Sequence, residues 1–367
     1  MVRLEKISHI QLGCLLFGYI SGFEGLFMSE AKLLKQDVWI AYLFNILLGL
    51  GILWLITYVQ RQYPYINMAE IYDKLLGKWV GKAMLCVYLL SNLESASGSH
   101  RALSMFFTTI ILPNTRPDYL VLIAAICSTY AVYIGLGALV RTTMVVIPFF
   151  LISFLLTCLF IIPEIQTNPF LPQLQSGLPE MVIGGMRIFT FTFAHVITFG
   201  FLMSRVENTK KIYASCVIAV IMSGLYLFII TYLTLGSLGL NYIETSMYPF
   251  FATIQLVKFG EYLERIEIIL IGIWTIFTLI NIIVFQYVFT LVIGHVFKIT
   301  KMKPFVFAIG LLFFAHAYRT FNRTADHFTY GAKIYPVSSL LPCIVLPALL
   351  AVVTIIKNRR RASIEDA

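Results

Sequence analysis

Charge is scarce in this chain. Only 12% of its 367 residues are Asp, Glu, Lys or Arg, against 59% drawn from AVILMFWYC, and the mean hydropathy is +0.86. Soluble domains carry about 25% charged and 45–50% apolar residues, so the composition excludes a water-soluble enzyme and leaves an integral membrane protein. At about 20 residues per span, ten spans leave short connections and no separate soluble domain. Paired cysteines are missing as well. Cys14, Cys86, Cys127, Cys158, Cys216 and Cys343 stand singly in apolar stretches, with no C-x-x-C pair and no His at ligand spacing, which reads as packing rather than disulfides or a metal site. Enzyme signatures are absent too: there is no H-E-x-x-H and no G-x-S-x-G, and Gly77-Lys78-Trp79-Val80-Gly81-Lys82 has the wrong spacing for a phosphate loop. No cofactor is implied. The net charge of +9 is scattered through short loops rather than gathered on a stripe, which argues for orientation signals and against nucleic acid.

What is present is a series of apolar runs near residues 8–28, 38–59, 83–112, 119–135, 143–162, 182–203, 212–235, 265–296, 304–318 and 336–356. They are continuous rather than alternating in twos, which predicts about ten transmembrane helices and not a barrel. The first run follows Arg3 and Lys6 and leads into Glu30, Lys32 and Lys35 without a small-residue cleavage site, as expected of an uncleaved first helix. In alternate loops, seventeen Lys and Arg fall on the side of the termini and eight on the other. That asymmetry places both termini in the cytoplasm, and the basic tail at 357–367, opening with Lys357, Arg359, Arg360 and Arg361, beside anionic headgroups. The connection at 60–81 is expected to be cytoplasmic, with a short amphipathic helix around Met68–Leu76. Two outer segments, 163–181 and 236–264, are long enough to cover or bind something.

The polar minority carries the functional signal. Span 1 reads Leu16-Phe17-Gly18-Tyr19-Ile20-Ser21-Gly22-Phe23-Glu24-Gly25, three glycines and a carboxylate at membrane depth. Helix-interior glycine costs about 1 kcal/mol relative to alanine, and unwound backbone survives in a bilayer only where it is buried in protein or lines a cavity. Span 6 opens with Gly184-Gly185-Met186-Arg187 and continues Phe189-Thr190-Phe191-Thr192-Phe193-Ala194-His195. Interrupted helices at spans 1 and 6 are what two inverted five-helix repeats produce, here about 8–162 and 182–356 within one membrane domain, with a ligand held between freed backbone groups. Span 3 adds Ser91, Asn92, Glu94, Ser95, Ser97, Ser99, His100 and Arg101, in which Glu94 and Arg101 share a face as an expected ion pair. Span 8 places Trp274, Thr278, Asn281 and Phe285 on one stripe. The expected ligand-binding residues are Gly18, Ser21, Gly22, Ser97, Phe191, Thr192, Phe193, Thr278 and Asn281. Glu24, Glu94, Arg101, Arg187 and His195 are expected in structural or coupling roles, His195 as a hydrogen-bonded residue within its span.

Further stretches carry a family resemblance. They are Ile7-Ser8-His9-Ile10-Gln11-Leu12 with Gly18 to Gly22, Lys35-Gln36-Asp37-Val38-Trp39-Ile40, and Tyr63-Pro64 with Leu76-Gly77-Lys78. Asn168-Pro169-Phe170-Leu171-Pro172 and Tyr248-Pro249, followed by Glu264-Arg265-Ile266-Glu267 and Trp274, complete the set. In this order the chain resembles the B subunits of bacterial spore germinant receptors, the GerAB type, over nearly its whole length. The family often has a Lys in span 8, where this sequence reads Leu279-Ile280-Asn281-Ile282. The resemblance implies membership of the amino acid/polyamine/organocation transporter superfamily and an all-α LeuT-like fold. It further implies a nutrient ligand such as an amino acid, nucleoside or sugar, and A-type and lipoprotein C-type partner subunits in the spore inner membrane. A secondary amino acid transporter using the same pocket is the first alternative, and a scaffold or ion-conducting subunit with a vestigial pocket is the second.

Overall fold

Span 1 begins at His9 because Ser8 caps it. The Ser8 hydroxyl accepts from the Gln11 N–H at 3.1 Å, and the Gln11 side-chain oxygen accepts from the Ser8 N–H at 2.9 Å, a reciprocal capping box that satisfies two donors left over at a helix start. The computed structural model describes residues 6–22, 30–165, 168–256, 267–320 and 324–365. Among them no strand forms, and one isolated bridge joins Ile7 to Val206.

The spans are His9–Ser21, Val38–Gln62, Lys78–Phe106, Pro117–Ile134, Leu136–Ile161, a sixth in two regular pieces (Leu178–Ile188 and Ile197–Met203), Ile212–Leu238, Glu267–Val296, Phe305–Thr320 and a tenth from Tyr335 to Glu365. Among the described residues, seven helices are long and apolar enough to cross a membrane, and spans 1 and 9 are shorter apolar helices. Span 3 has 29 residues, but its serines, Asn92, Glu94, His100 and Arg101 dilute its hydropathy. Pro117 opens span 4, where a missing N–H costs nothing. Gly135, at φ +116°, turns span 4 directly into span 5 in a conformation other residues rarely adopt. Met68–Leu76 forms the amphipathic helix expected between spans 2 and 3, capped by the Asn67 side chain, which accepts from the Ala69 N–H at 3.0 Å.

Span 1 packs against spans 5, 7 and 8, and span 2 against spans 6, 7 and 10, while span 3 packs against spans 4, 8 and 9. Spans 1, 2, 6 and 7 thus form one group and spans 3, 4, 8 and 9 another. Span 6 is central, with 83% of its apolar window buried, against 17% for span 5 at the periphery.

Two interruptions lie where spans 1 and 6 meet the second group. Regular helix in span 1 ends at Ser21, so Gly18 sits inside the helix and Gly22 at its end; Glu24 lies outside the described residues. In span 6, Gly184 and Gly185 remain helical. The irregular backbone is instead the Phe/Thr stretch, a wide turn over Phe189–Phe193 followed by a tight one over Ala194–Val196. Wide turns of this kind recur at functional sites.

The face bearing both chain ends is tied together by polar contacts. Ile7 donates to the Arg205 carbonyl at 3.0 Å and accepts from the Glu207 N–H at 3.1 Å, joining the start of span 1 to the end of span 6. Lys357 Nζ donates to the Lys74 and Leu75 carbonyls at 3.0 and 3.1 Å, where the Met68–Leu76 helix leaves acceptors unsatisfied. On the opposite face, Asp37 pins the long connection before span 6 by accepting from the Leu174 and Ser176 N–H groups at 2.6 and 2.8 Å. The same face carries a further helix, Thr324–Lys333, between spans 9 and 10.

Candidate functional site

A small cavity lies at the break in span 6. Span 3 contributes Glu94, Ser95, Gly98 and Ser99; span 6 contributes Phe191 and His195; span 8 contributes Asn281 and Phe285. The helix Thr324–Lys333 closes it from above with His327, Tyr330 and Gly331, and Tyr335 at the start of span 10 forms a side wall. Its volume is about 30 Å³, room for one or two waters and an order of magnitude below a pocket that holds a small ligand.

Each wall is fixed by contacts remote in sequence. Tyr330 donates its hydroxyl to Glu94 Oε2 at 3.0 Å, which fastens the capping helix to span 3. The Tyr335 hydroxyl lies 2.8 Å from Ser95 Oγ and also hydrogen-bonds His195 Nε2, while His195 Nδ1 approaches Cys343 Sγ at 3.9 Å. The Phe191 ring stacks on Tyr335 with centroids 4.8 Å apart, and Phe285 meets the His195 ring edge-on at 5.1 Å. The span 6 break is therefore held between spans 3, 8 and 10 by hydrogen bonds and rings together. In the capping helix, burial first and the Glu94 charge second push the Tyr330 phenol up to about 12. Burial, followed by the Arg101 charge, pushes the His327 imidazole down to about 4.

Span 8 reaches the end of span 1 through its polar stripe. Ser99 donates to Asn281 Oδ1 at 2.9 Å, and Asn281 Nδ2 donates to the Tyr19 carbonyl at 3.2 Å. Thr278 donates to the Gly22 carbonyl. These carbonyls are among the acceptors a helix leaves unsatisfied where it ends, so the break in span 1 is satisfied by side chains of span 8.

Of the residues expected from sequence, Glu94, Phe191, His195 and Asn281 line the cavity. Thr278 and Gly22 meet beside it at the span 1–span 8 contact. Gly18 faces Thr143 and Phe277 in a packing contact, and Phe193 packs against Gly49 of span 2. Ser21 and Thr192 are buried, and neither hydroxyl has a hydrogen-bond partner among the described residues. Ser97 turns away toward span 9, where its hydroxyl lies 2.8 Å from His316 Nδ1. Arg187 donates from Nε to the Ala332 carbonyl at 3.1 Å, linking span 6 to the capping helix. Arg101 sits 3.6 Å from Asp118, so it and Glu94 each have a partner from elsewhere in the chain. The capping helix supplies His327, Tyr330 and Gly331, none of which the hydropathy pattern marks. The one local clue is the pairing of His327 with Tyr330 three residues apart, on one face of a polar ten-residue stretch.

Ten spans, eight of them in two groups of four and interrupted at spans 1 and 6 around a central cavity, define the LeuT-like fold of secondary transporters. Solved structures agree. The chain superposes on MhsT in complex with L-phenylalanine with a TM-score of 0.66 at 12% identity, covering 95% of this chain and 88% of that one. It superposes on Mhp1, a nucleobase-cation-symport-1 family transporter in a closed conformation with bromovinylhydantoin bound, with a TM-score of 0.68 at 13% identity, covering 95% and 78%. More specifically, the family model described as spore germination protein matches residues 6–325, and the chain belongs to that family. It is 22% identical over 363 residues to spore germination protein KB of Bacillus subtilis (strain 168), covering 97% of this chain and 96% of that protein. It is 25% identical over 370 residues to spore germination protein GerLB of Bacillus cereus, again covering 97% and 96%. The protein is thus a multi-pass membrane protein whose family and fold are those of permeases.

Proposed function

We propose that the chain is the B subunit of a nutrient germinant receptor, binding a small nutrient in the cavity between spans 3, 6 and 8 and passing that event to A-type and lipoprotein C-type subunits. Both termini then face the cytoplasm across the spore inner membrane, and the two inverted repeats are residues 8–162 and 182–356. The observation that carries the reading is the narrow polar cavity itself. At about 30 Å³ it is too small for an amino acid, nucleoside or sugar, and its roof is fastened to its floor by the Tyr330–Glu94 hydrogen bond. A nutrient therefore fits only when the cap or the surrounding helices move apart. Such a ligand favours one conformation over another, as a signal requires.

Among the described residues that line the cavity, Glu94 is the one acidic side chain, and no Lys or Arg accompanies it. A nutrient with an amino group fits this charge, replacing the Tyr330 hydroxyl as the carboxylate's partner. A thermal-stability screen of the purified protein against amino acids, nucleosides and sugars tests the reading. Stabilisation by one nutrient supports it, and stabilisation by none opposes it.

A second reading, secondary transport through the same cavity, is favoured by the likeness to MhsT and Mhp1. Uptake of the stabilising nutrient into proteoliposomes separates the two. Sustained accumulation supports transport, and binding without accumulation supports sensing.

A further inference from the structure

A groove of about 270 Å³ opens on the side of the bundle, between the first halves of spans 1 and 7 and the middle of span 5. We infer that it seats one acyl chain of a membrane phospholipid, drawn from the leaflet nearest the chain ends.

The argument begins with shape. Span 1 lines the groove from Ile10 to Phe17 and span 7 from Ser215 to Met222, each at positions i, i+3, i+4 and i+7, which make one face of a helix. Both stretches cover about 10 Å of helix axis, so the groove runs along the spans, as an extended chain does in a leaflet whose hydrocarbon is about 15 Å deep. Spread over that length, 270 Å³ gives a mean cross-section of about 27 Å², roughly a third of what a helix about 10 Å across occupies. A partner helix therefore does not enter, whereas a single hydrocarbon chain does. An apolar cavity of about 150 Å³ accepts a benzene ring, so this one takes about ten methylenes.

The lining suits such an occupant. Among the described residues that form it there is no Asp, Glu, Lys or Arg, and its one hydroxyl, that of Ser215, lies 2.7 Å from His9 Nδ1. At the floor, spans 1 and 7 approach backbone to backbone, since a Cβ at Gly13 would lie 2.9 Å from the Ser215 carbonyl oxygen. The end farthest from the termini is bounded by Phe17, whose ring packs on Phe150 with centroids 5.7 Å apart. The open side is flanked by Ile10, Leu151, Ile218 and Met222, all exposed, and continues into the exposed apolar face of span 5 at Phe149 and Ile152. In a multi-pass membrane protein that face meets lipid tails, so a chain reaches the groove without crossing water. It exchanges one hydrocarbon setting for another, and its preference for the groove rests on close van der Waals contact with three helices rather than on leaving water. The groove shares no lining residue with the nutrient cavity.

The test uses the full chain in nanodiscs containing a phosphatidylglycerol with a photoreactive diazirine part-way along one acyl chain. After irradiation and peptide mapping, label is expected to concentrate on residues 10–17 and 215–222, at about fivefold the yield on the exposed residues Ile126 and Tyr130 of span 4. Cys14→Phe and Leu151→Trp fill the groove from two different walls, and each is expected to bring the yield down to the span 4 level. Ile152→Trp, on span 5 but outside the lining, is expected to leave it unchanged. Label spread evenly over the exposed apolar faces, or a concentrated label that persists in both filled variants, overturns the proposal. Efficient cross-linking of Cys14 to Cys14 between two copies in the membrane overturns it as well, by assigning the groove to a second chain.

Discussion

The Tyr330 hydroxyl donates to the Glu94 carboxylate at 3.0 Å, across 236 residues of sequence, and this bond closes the cavity in the middle of the protein. Tyr330→Phe removes the donor and keeps the ring. The capping helix is then held less tightly by about 1 kcal/mol, less than for a bond to a fully buried charge because the site is half-exposed. Hydrogen exchange of residues 324–333 is expected to accelerate several-fold, and unchanged exchange would show that other contacts hold the cap.

Glu94→Gln keeps the shape and an oxygen for Tyr330 but removes the charge. The nutrient concentration giving a half-maximal germination response is expected to rise more than tenfold, with protein level and melting temperature close to those of the parent. An unchanged response assigns recognition to other groups.

Closure is also expected to depend on pH. In the docked capping helix His327 has its pKa pushed down to about 4 by burial and then by Arg101, whereas a released, solvated imidazole titrates near 6.5. The released state therefore takes up a proton first as pH falls. Docking is at full strength above about pH 6.5, weakens progressively from there toward pH 4, and levels off below. Exchange in residues 324–333, corrected for intrinsic rates, should be about twentyfold faster at pH 5 than at pH 7. His327→Gln should flatten this difference; persistence of the difference in that variant would place the titrating group elsewhere.

The contact between spans 1 and 8 is expected to govern stability. A Cβ at Gly22 would collide with the Phe277 carbonyl group, and backbone cannot yield as a flexible side chain does. Gly22→Ala should therefore cost about 1–3 kcal/mol, read as a lower melting temperature. Asn281→Leu removes the side-chain donor to the Tyr19 carbonyl and leaves the Ser99 hydroxyl only its bond to the Ser95 carbonyl, and should cost a similar amount. Full stability in both variants would show that span 1 is held by its other neighbours.

Particular residues show what could be read from sequence and what could not. The Met68–Leu76 helix and the bounds of spans 2, 4, 7 and 8 follow from runs of apolar residues, because membrane spans bury a continuous surface. The positions of the broken spans were legible as glycine and hydroxyl residues at membrane depth. Their exact register was not: Gly18 and Gly184 serve close packing against Phe277 and Leu34, and the irregular backbone of span 6 falls on the Phe/Thr stretch instead. Helical spacing placed Glu94 and Arg101 on one face. It could not find their partners, because Tyr330 and Asp118 come from other elements and periodicity describes one helix at a time. The capping helix was missed for the same reason, since its polar ten residues acquire meaning only when folded over the cavity.

The central claim is that a nutrient occupies the cavity beneath the capping helix. Gly98 lines it, and a side chain there meets nothing nearer than His327 Cε1 at 3.9 Å, so Gly98→Cys places a thiol in the cavity without crowding it. With the exposed Cys86 and Cys127 replaced by Ala, the rate at which a small thiol reagent labels Cys at position 98 reports occupancy. The account predicts that the nutrient that triggers germination slows this labelling in proportion to its concentration, with half-protection near the half-maximal response. Labelling unaffected by a saturating, effective nutrient would contradict it.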